Sequence, residues 1–251
     1  MLRIAQVTMA VCTGLLLAGC QKPPAPETGE LAAAEGPAAA ESAEIKTQDN
    51  TRAGGISRIL QANSIGATKA FVERTLGQST YETEHEASYR VDGCEVTLGL
   101  DGNSVGSVSI TLAPGCRFDV AGLVDSPQPV VIDGAISFAQ FEAVFGQARY
   151  TSPCLMLCGN AYDPYLDAVV QGSRADGFID IAAHVLFVGD AVLDATTRWQ
   201  EQLTAKAGED YVMSTRFNCD ASHDSIARAA FATVPVEKIT FGSGLGTWDC
   251  P

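Results

Sequence analysis

One serine of this sequence lies in a motif that could support hydrolytic catalysis. Gly102-Asn103-Ser104-Val105-Gly106 matches G-x-S-x-G. In a nucleophile elbow, a strand leads into this motif and a helix leads out, which exposes the serine on a strained turn. Here strand-like sequence lies on both sides of Ser104, and Asp101-Gly102-Asn103 is typical of a hairpin turn. We therefore expect a chance match within a β-hairpin, and a periplasmic serine hydrolase using Ser104 is the alternative function.

Three histidines could act as the base for such a serine. His184 alternates with apolar residues in a predicted strand, where we expect a hydrogen-bonded structural histidine. His223 lies at a predicted helix start, where Asp220 or Ser222 suits the N-cap. His85 lies in an acidic stretch that we expect to be solvated. The sequence therefore predicts no catalytic residues and no enzyme.

Cysteines are the other reactive side chains, and their number indicates disulfides rather than metal binding. Six lie in the body of the chain: Cys94, Cys116, Cys154, Cys158, Cys219 and Cys250. An even number in an exported protein is typical of disulfide bonding. Pairing of sequence neighbours, one of many possible connectivities, gives 94–116, 154–158 and 219–250. No histidine lies near the C-x-x-x-C pair, and its spacing is not the C-x-x-C of redox motifs, so we expect no metal site.

The first 19 residues have the pattern of a secretory signal peptide. Arg3 precedes an uncharged apolar run from Ile4 to Leu17, which is shorter than the about 20 residues of a membrane span and suits a signal peptide. The run ends in Leu17-Ala18-Gly19-Cys20, which resembles the lipobox of bacterial lipoproteins. That resemblance implies cleavage before Cys20 and its modification with acyl chains such as palmitate. The alternative is an ordinary signal peptide, with Cys20 as a seventh disulfide candidate.

The residues that follow Cys20 indicate in which membrane it is anchored and how the folded part is connected to it. Gln21 replaces the aspartate that retains lipoproteins in the inner membrane, so the same resemblance implies the periplasmic face of the outer membrane. Residues 21–53 are rich in Ala, Pro and Glu with almost no large apolar side chains. Such a segment cannot bury enough surface to offset its ordering entropy. We expect residues 20–53 to form the lipidated N-terminus and a disordered tether.

Charge excludes one class of partner. The chain of 251 residues carries a formal net charge of −14, and a protein that binds nucleic acid needs basic residues to neutralise phosphates. An acidic surface favours a cationic partner, although acidity also serves solubility. We expect no cofactor either, because the glycine-rich Gly242–Gly246 has too few residues after it to open a dinucleotide-binding helix.

The folded part is predicted to begin near Gly54 with two helices and a meander of strands. Ile56, Ile59 and Leu60 form a short amphipathic turn of helix. A second helix spans Ala67 to Leu76, and Gly77 suits a left-handed cap. Alternating residues predict strands at Ala87–Val91, Cys94–Leu100 and Val105–Leu112.

The pattern then recurs, which predicts tandem units. The matched positions are Ala70/Ala139, Glu73/Glu142, Gly77/Gly146, Gln78/Gln147 and Tyr81/Tyr150. Strands are expected again at 167–171 and 177–188, then helices at 190–207 and 222–231 and a last strand around 235–241. The fold class expected is α+β: two tandem units, each a helix pair on an antiparallel sheet, stapled by disulfides. The first unit spans 54–125; the second, 126–251, carries an insertion at 152–165 and the C-terminal helices.

The first helices also resemble a known family. Ser64-Ile65-Gly66-Ala67-Thr68-Lys69, running into Val72-Glu73 and Leu76-Gly77, resembles the helix motif of the BamE (SmpA/OmlA) lipoproteins. The tandem arrangement resembles the β-lactamase inhibitory proteins, which are built from two such units. The resemblance covers 54–112 and, more loosely, 129–188, and it implies a helix pair packed on a small antiparallel sheet. The six cysteines, the insertion and the C-terminal helices depart from the family, so a barrel-assembly role does not follow from it.

The insertion is the candidate partner-binding surface. Leu155, Met156 and Leu157 lie within the loop that a Cys154–Cys158 bridge would close, and Tyr162 and Tyr165 follow. Rigid presentation lowers the ordering cost of binding loops. The alternative is that Leu155 and Leu157 fill the core of the second unit. The function expected is a non-catalytic, lipid-anchored protein that binds another envelope protein, in assembly or as an inhibitor or immunity protein, and the acidic chain favours a cationic partner.

Overall fold

The computed structural model describes residues 54–159, 163–172, 178–248 and 250. Within them lie six α-helices and ten strands. The helices are α1 (Gly55–Ile59), α2 (Lys69–Leu76), α3 (Phe138–Phe145), α4 (Asp190–Ala207), α5 (Glu209–Met213) and α6 (Asp224–Phe231). The strands are β1 (Tyr81–Glu82), β2 (Glu86–Val91), β3 (Cys94–Asp101), β4 (Ser104–Thr111), β5 (Arg117–Asp119), β6 (Val131–Asp133), β7 (Arg149–Thr151), β8 (Tyr165–Val170), β9 (Asp180–Leu186) and β10 (Lys238–Gly242). The fold is α+β, as expected.

Eight of these strands form one continuous antiparallel sheet. Its order is β1-β2-β3-β4-β10-β9-β8-β7, and β5 pairs only with β6. Strand β10, the last in the chain, lies between β4 and β9 and joins the two halves of the sheet. The first half, β1–β4, and the second half, β7–β10, therefore share one sheet.

Most predicted elements are present, with two local differences. The hairpin at Gly102 and Asn103 joins β3 to β4, since Asp101 pairs with Ser104. Gly77 ends α2 with φ 94° and ψ −163°, a conformation open essentially to glycine alone and different from the expected left-handed helical cap. The helix pair α1 and α2 precedes the first meander, β1–β4. The second meander follows the single helix α3, and strands β5 and β6 lie before that helix.

A single hydrophobic core lies on one face of the sheet. Alternation places one row of inward side chains across seven strands, each at most 3% exposed: Tyr89, Val96, Ile110, Ile239, Ala183, Ala168 and Tyr150. Buried residues of every helix belong to the same core cluster, among them Ile56, Val72, Phe141, Trp199, Val212 and Phe231. The helices therefore cover one face of the sheet, and the other face carries a different chemistry.

One edge of the sheet is capped by side chains, and the other ends in a very short strand. The outer edge of β7 is capped by side chains, since Asp224 Oδ1 accepts from Tyr150 N–H at 3.3 Å and Asn218 Oδ1 accepts from Ser152 N–H at 2.9 Å. Asn218 Nδ2 also donates to the Ser152 carbonyl. At the other edge, β1 has only two residues. Short or covered edges disfavour pairing with a strand of another chain.

Three disulfides staple the fold in the pairing of sequence neighbours. Cys94–Cys116 is buried and ties the start of β3 to the segment before β5. Cys154–Cys158 closes the small loop after β7, and Cys219–Cys250 ties the C-terminal segment to the region before α6. In the described part of the chain, no helix is long and apolar enough to cross a membrane.

Candidate binding face

The face of the sheet opposite the helices carries polar side chains, and we call it the polar face. Its central row crosses all eight strands: Tyr81, Ser88, Thr97, Ser109, Thr240, Ala182, Val169 and Arg149. The hydroxyls of Ser88 and Thr97 lie 3.2 Å apart, and those of Ser109 and Thr240 lie 2.8 Å apart. Cross-strand hydrogen bonds of this kind hold side chains in place before any partner arrives.

The C-terminal segment covers part of this face. The strap, residues 243–248 with Cys250, leaves β10 and passes over β8, because a Cβ on Gly246 would lie 2.8 Å from Val169 Cγ2. Val169 and Ala182 are buried although neither belongs to the core cluster. We call the polar face of β8–β10 the strapped half, and that of β1–β4 the open half.

A buried carboxylate and a disulfide hold the strap. Asp180 is 8% exposed, and its Oδ2 accepts from Leu245 N–H at 3.0 Å while Oδ1 accepts from Gly172 N–H at 2.9 Å. Both oxygens therefore accept backbone hydrogen bonds, as a buried charge requires. Beyond Leu245, the exposed Cys219–Cys250 disulfide fixes the end of the strap.

A concavity of 410 Å³ lies beside the strap on the strapped half. His184 Nδ1 and Asp167 Oδ1 are 2.7 Å apart, and the Tyr165 ring lies 4.9 Å from the His184 ring. Lys238 is the cross-strand neighbour of His184. The other lining residues are Ser109, Ala182, Thr240, Leu245 and Gly246. His184 is thus a hydrogen-bonded strand histidine, as expected, but it lies on the polar face rather than in the core.

The open half is partly exposed, and its charged side chains include two glutamates and one arginine. Glu86 and Glu95 point to this face, and Arg90 is the cross-strand partner of Glu95. Arg90 and Glu95 are exposed, and Glu86 is partly exposed. Glu82, on the edge strand, is instead bound to Lys69 of α2, and that hydrogen bond lowers the pKa of the Glu82 carboxyl. Among the described residues, neither Glu86 nor Glu95 forms an ion pair within 4.0 Å.

A second cavity, of 480 Å³, lies between β7, β8 and the start of α6. Its charged groups are engaged with one another. Arg149 Nε donates to Asp224 Oδ2 at 2.9 Å, and Arg228 Nε donates to Glu142 Oε1 at 2.9 Å. Burial raises the pKa of the Asp224 carboxyl against the lowering effect of Tyr150 N–H and Arg149. The two ion pairs join α6 to β7 and to α3, so the charged groups around this cavity stabilise the packing of these elements.

The described members of the predicted partner-binding set lie in different places. Leu155 is buried in the core, in line with the alternative that it fills the core, and Met156 packs partly against the same core. Leu157 is 85% exposed at φ 58°, at the tip of the disulfide loop. Tyr165 lines the concavity of the strapped half. Tyr162 lies outside the described residues, as does Cys20.

The serine motif and the remaining histidines are dispersed. Ser104 begins β4 at the hairpin, with strands on both sides. No described residue donates to or accepts from its hydroxyl, and His85 is exposed in the β1–β2 turn. His223 packs edge-on against Tyr211 at 5.6 Å, and Asp220 caps the short 3-10 turn before α6. Among the described residues, no group of three His, Cys, Asp or Glu could hold a metal ion.

Sequence reasoning missed most of the polar face. Asp167, Lys238 and Thr240 meet Ser109 and His184 only because β10 inserts between β4 and β9. Each of these residues fits the period-two alternation of its own strand, and that pattern is a signal that could have assigned it to the polar side of the strand. The neighbours of β10 were not predicted, because Ser109 and its partner Thr240 are 131 positions apart in the sequence.

Loss of the strap disulfide should release the strap without unfolding the sheet. In the double variant Cys219→Ser, Cys250→Ser, we expect amide exchange at Leu245 to become about tenfold faster or more, since such a cross-link contributes several kcal/mol. Exchange at Ile110 in β4 should not change. Hydrogen exchange with mass spectrometry checks both, and unchanged protection at Leu245 would show that Asp180 holds the strap alone.

Comparison with known proteins gives no match to a protein-family model, a curated protein or a solved structure.

Proposed function

We propose that this chain is a periplasmic lipoprotein of the outer membrane that binds a cationic envelope protein through the open half, without catalysis. The observation that carries this proposal is the open half itself, a polar and acidic sheet face with its side chains held by cross-strand contacts. The capped β7 edge and the short β1 edge disfavour strand addition, which supports a sheet face as the surface for a partner. The role is in envelope assembly or as an inhibitor or immunity protein.

We also infer that the two halves of the sheet are copies of one unit, as the tandem reading of the sequence predicts. The strand order, counted inward from either edge, follows the chain from β1 to β4 and from β7 to β10. A helix that ends on glycine precedes each meander, with φ 94° at Gly77 and 103° at Gly146. In this proposal, helices α4 to α6 are an insertion before the last strand of the second unit.

The charge of the open half supports a cationic partner. Among the described residues of the open half, Glu86 and Glu95 stand against one basic residue, Arg90, and the whole chain has a formal net charge of −14. A field of that sign raises the encounter rate with a positively charged surface and is screened by salt. The lipid anchor and tether would keep the open half within reach of proteins of the periplasm.

Charge reversal on the open half tests this function. Wild-type protein, Glu95→Lys and the matched control Glu201→Lys, an exposed position on α4, are cross-linked in intact envelopes and purified. We expect wild type and Glu201→Lys to capture the same protein and Glu95→Lys to lose it about tenfold, since like charges at an interface cost several kcal/mol. Equal capture by Glu95→Lys and wild type would contradict the proposal.

The alternative function is hydrolysis by Ser104. A Ser104→Ala variant should retain the captured partner and should change no hydrolytic activity of the purified protein. Loss of a measurable hydrolytic activity in this variant would overturn the binding proposal.

Replacement of Cys20 tests the proposed lipid anchor. A Cys20→Ala variant should lose its acyl label completely and be found in the soluble periplasmic fraction, because stable attachment requires acyl chains. Metabolic labelling with a palmitate analogue and fractionation of the envelope measure both. Retention of the variant in the membrane fraction would show that Cys20 is not the anchor.

A further inference from the structure

The concavity of the strapped half has the size and walls of a small-molecule site. Its volume is 410 Å³, within the range of about 300–1,000 Å³ that ligand sites occupy. Ser109 and Thr240 contribute to its floor, and the Tyr165 ring and Leu245 contribute larger side chains. The strap contributes Leu245 and Gly246 to the lining.

The concavity is lined by one lysine, one histidine and one carboxylate. Lys238 and His184 are cross-strand neighbours on the polar face. Asp167 is the carboxylate among the lining residues, and its Oδ1 is engaged with His184 Nδ1 at 2.7 Å. No carboxylate among the described residues lies within 4.0 Å of Lys238 Nζ. Lys238 is therefore a partly buried residue whose ammonium group has no ion-pair partner among the described residues.

Further hydrogen-bond donors lie beside this ammonium group. The hydroxyls of Ser109 and Thr240 are 2.8 Å apart, so one donates to the other and the accepting hydroxyl keeps its proton for a ligand. Because Asp167 fixes one ring nitrogen of His184, the orientation of that ring is set before binding. The Tyr165 ring, 4.9 Å from the His184 ring, offers an aromatic wall to the body of the ligand.

We propose that this concavity binds a small organic carboxylate. The ammonium group of Lys238 pairs with the carboxylate, a hydroxyl of the Ser109–Thr240 pair donates to it, and Tyr165 and Leu245 contact its body. A charge-assisted hydrogen bond of this kind is roughly twice as strong as a neutral one. The site shares Ser109 of β4 with the open half, but its charged group, Lys238, lies on β10, and the proposal does not rest on the function proposed for the open half.

Binding of benzoate tests the site, with benzamide as its neutral counterpart. Full-length protein is titrated with each compound, and binding is followed by calorimetry and by amide chemical shifts on β9 and β10. We expect benzoate to bind with one site and benzamide to bind about tenfold more weakly or not at all. Acetate should bind more weakly than benzoate, because it lacks the ring that contacts Tyr165.

Lysine variants decide whether Lys238 is responsible. Lys238→Met keeps the length of the side chain and removes its charge, and should weaken benzoate binding about tenfold or more, which is about 1.4 kcal/mol. Lys238→Arg should retain binding, and Lys206→Met, at an exposed position on α4, should bind as wild type does. No benzoate binding to wild type, equal affinity for benzamide, or unchanged affinity in Lys238→Met would each overturn the proposal.

Discussion

Replacing Phe231 by alanine should lower the free energy of unfolding by about 3–5 kcal/mol, the usual loss for a large aromatic side chain removed from a core. Phe231 is fully buried at the end of α6. Its ring lies 6.0 Å from Phe138 of α3, 6.2 Å from Phe187 after β9 and 5.9 Å from Trp199 of α4. One side chain therefore joins two other helices to the sheet.

Urea unfolding measures this loss, and Phe178→Ala is the matched control. Phe178 is 59% exposed, so the same chemical change there should alter stability by no more than about 0.5 kcal/mol. A loss below about 1 kcal/mol in Phe231→Ala would show that the aromatic cluster does not hold the C-terminal helices in place.

Removal of the Asp224 carboxylate should cost about 2–3 kcal/mol. Its Oδ1 accepts from Tyr150 N–H at 3.3 Å, and its Oδ2 accepts from Arg149 Nε at 2.9 Å. In Asp224→Ala, the amide of Tyr150 and the partly buried guanidinium of Arg149 lose these acceptors, and unsatisfied buried donors cost about 1–3 kcal/mol. The outer edge of β7 would also lose one of its caps.

The cost at Asp224 should depend on pH. Burial raises the pKa of the Asp224 carboxyl above its ordinary 3.8. Between 3.8 and the raised value the folded state binds more protons than the unfolded state, so this group's contribution to stability falls as pH rises. The difference between wild type and Asp224→Ala should therefore be larger below that window than at pH 7.

Urea unfolding at several pH values checks this dependence. Asp194→Ala, at an exposed position on α4, should change stability by no more than about 0.5 kcal/mol at any pH. A difference between wild type and Asp224→Ala that shrinks as the pH falls would mean that the ion pair with Arg149, rather than burial, dominates this carboxyl.

Local sequence patterns predicted the helices and strands well wherever those patterns were strong. The helix expected at 190–207 is α4 with the same bounds, since an amphipathic stripe ends at Gly208. Hairpin chemistry at Gly102 and Asn103 placed β3 and β4 correctly. Gly77 was predicted as a cap but with the wrong backbone conformation, because residue type alone does not distinguish regions of positive φ.

The candidate site was far less predictable, because it depends on contacts distant in sequence. His184 was recognised as a structural histidine, but its partner Asp167 lies on the neighbouring strand. Leu155 and Leu157 look equivalent in the sequence, yet the backbone of the disulfide loop buries the first and exposes the second. Alternation predicted which residues share a face of one strand. The position of β10 between β4 and β9 determines which strands are neighbours, and alternation does not predict that.

Site-specific photocrosslinking tests the central claim most directly. A photoreactive amino acid is placed at Thr97, in the central row of the open half, and separately at Glu201 on α4. Both full-length proteins are expressed in the envelope and irradiated in intact cells. The account predicts one discrete cross-linked protein from position 97 and none from position 201. No adduct from position 97, or the same adduct from both positions, would contradict recognition through the open half.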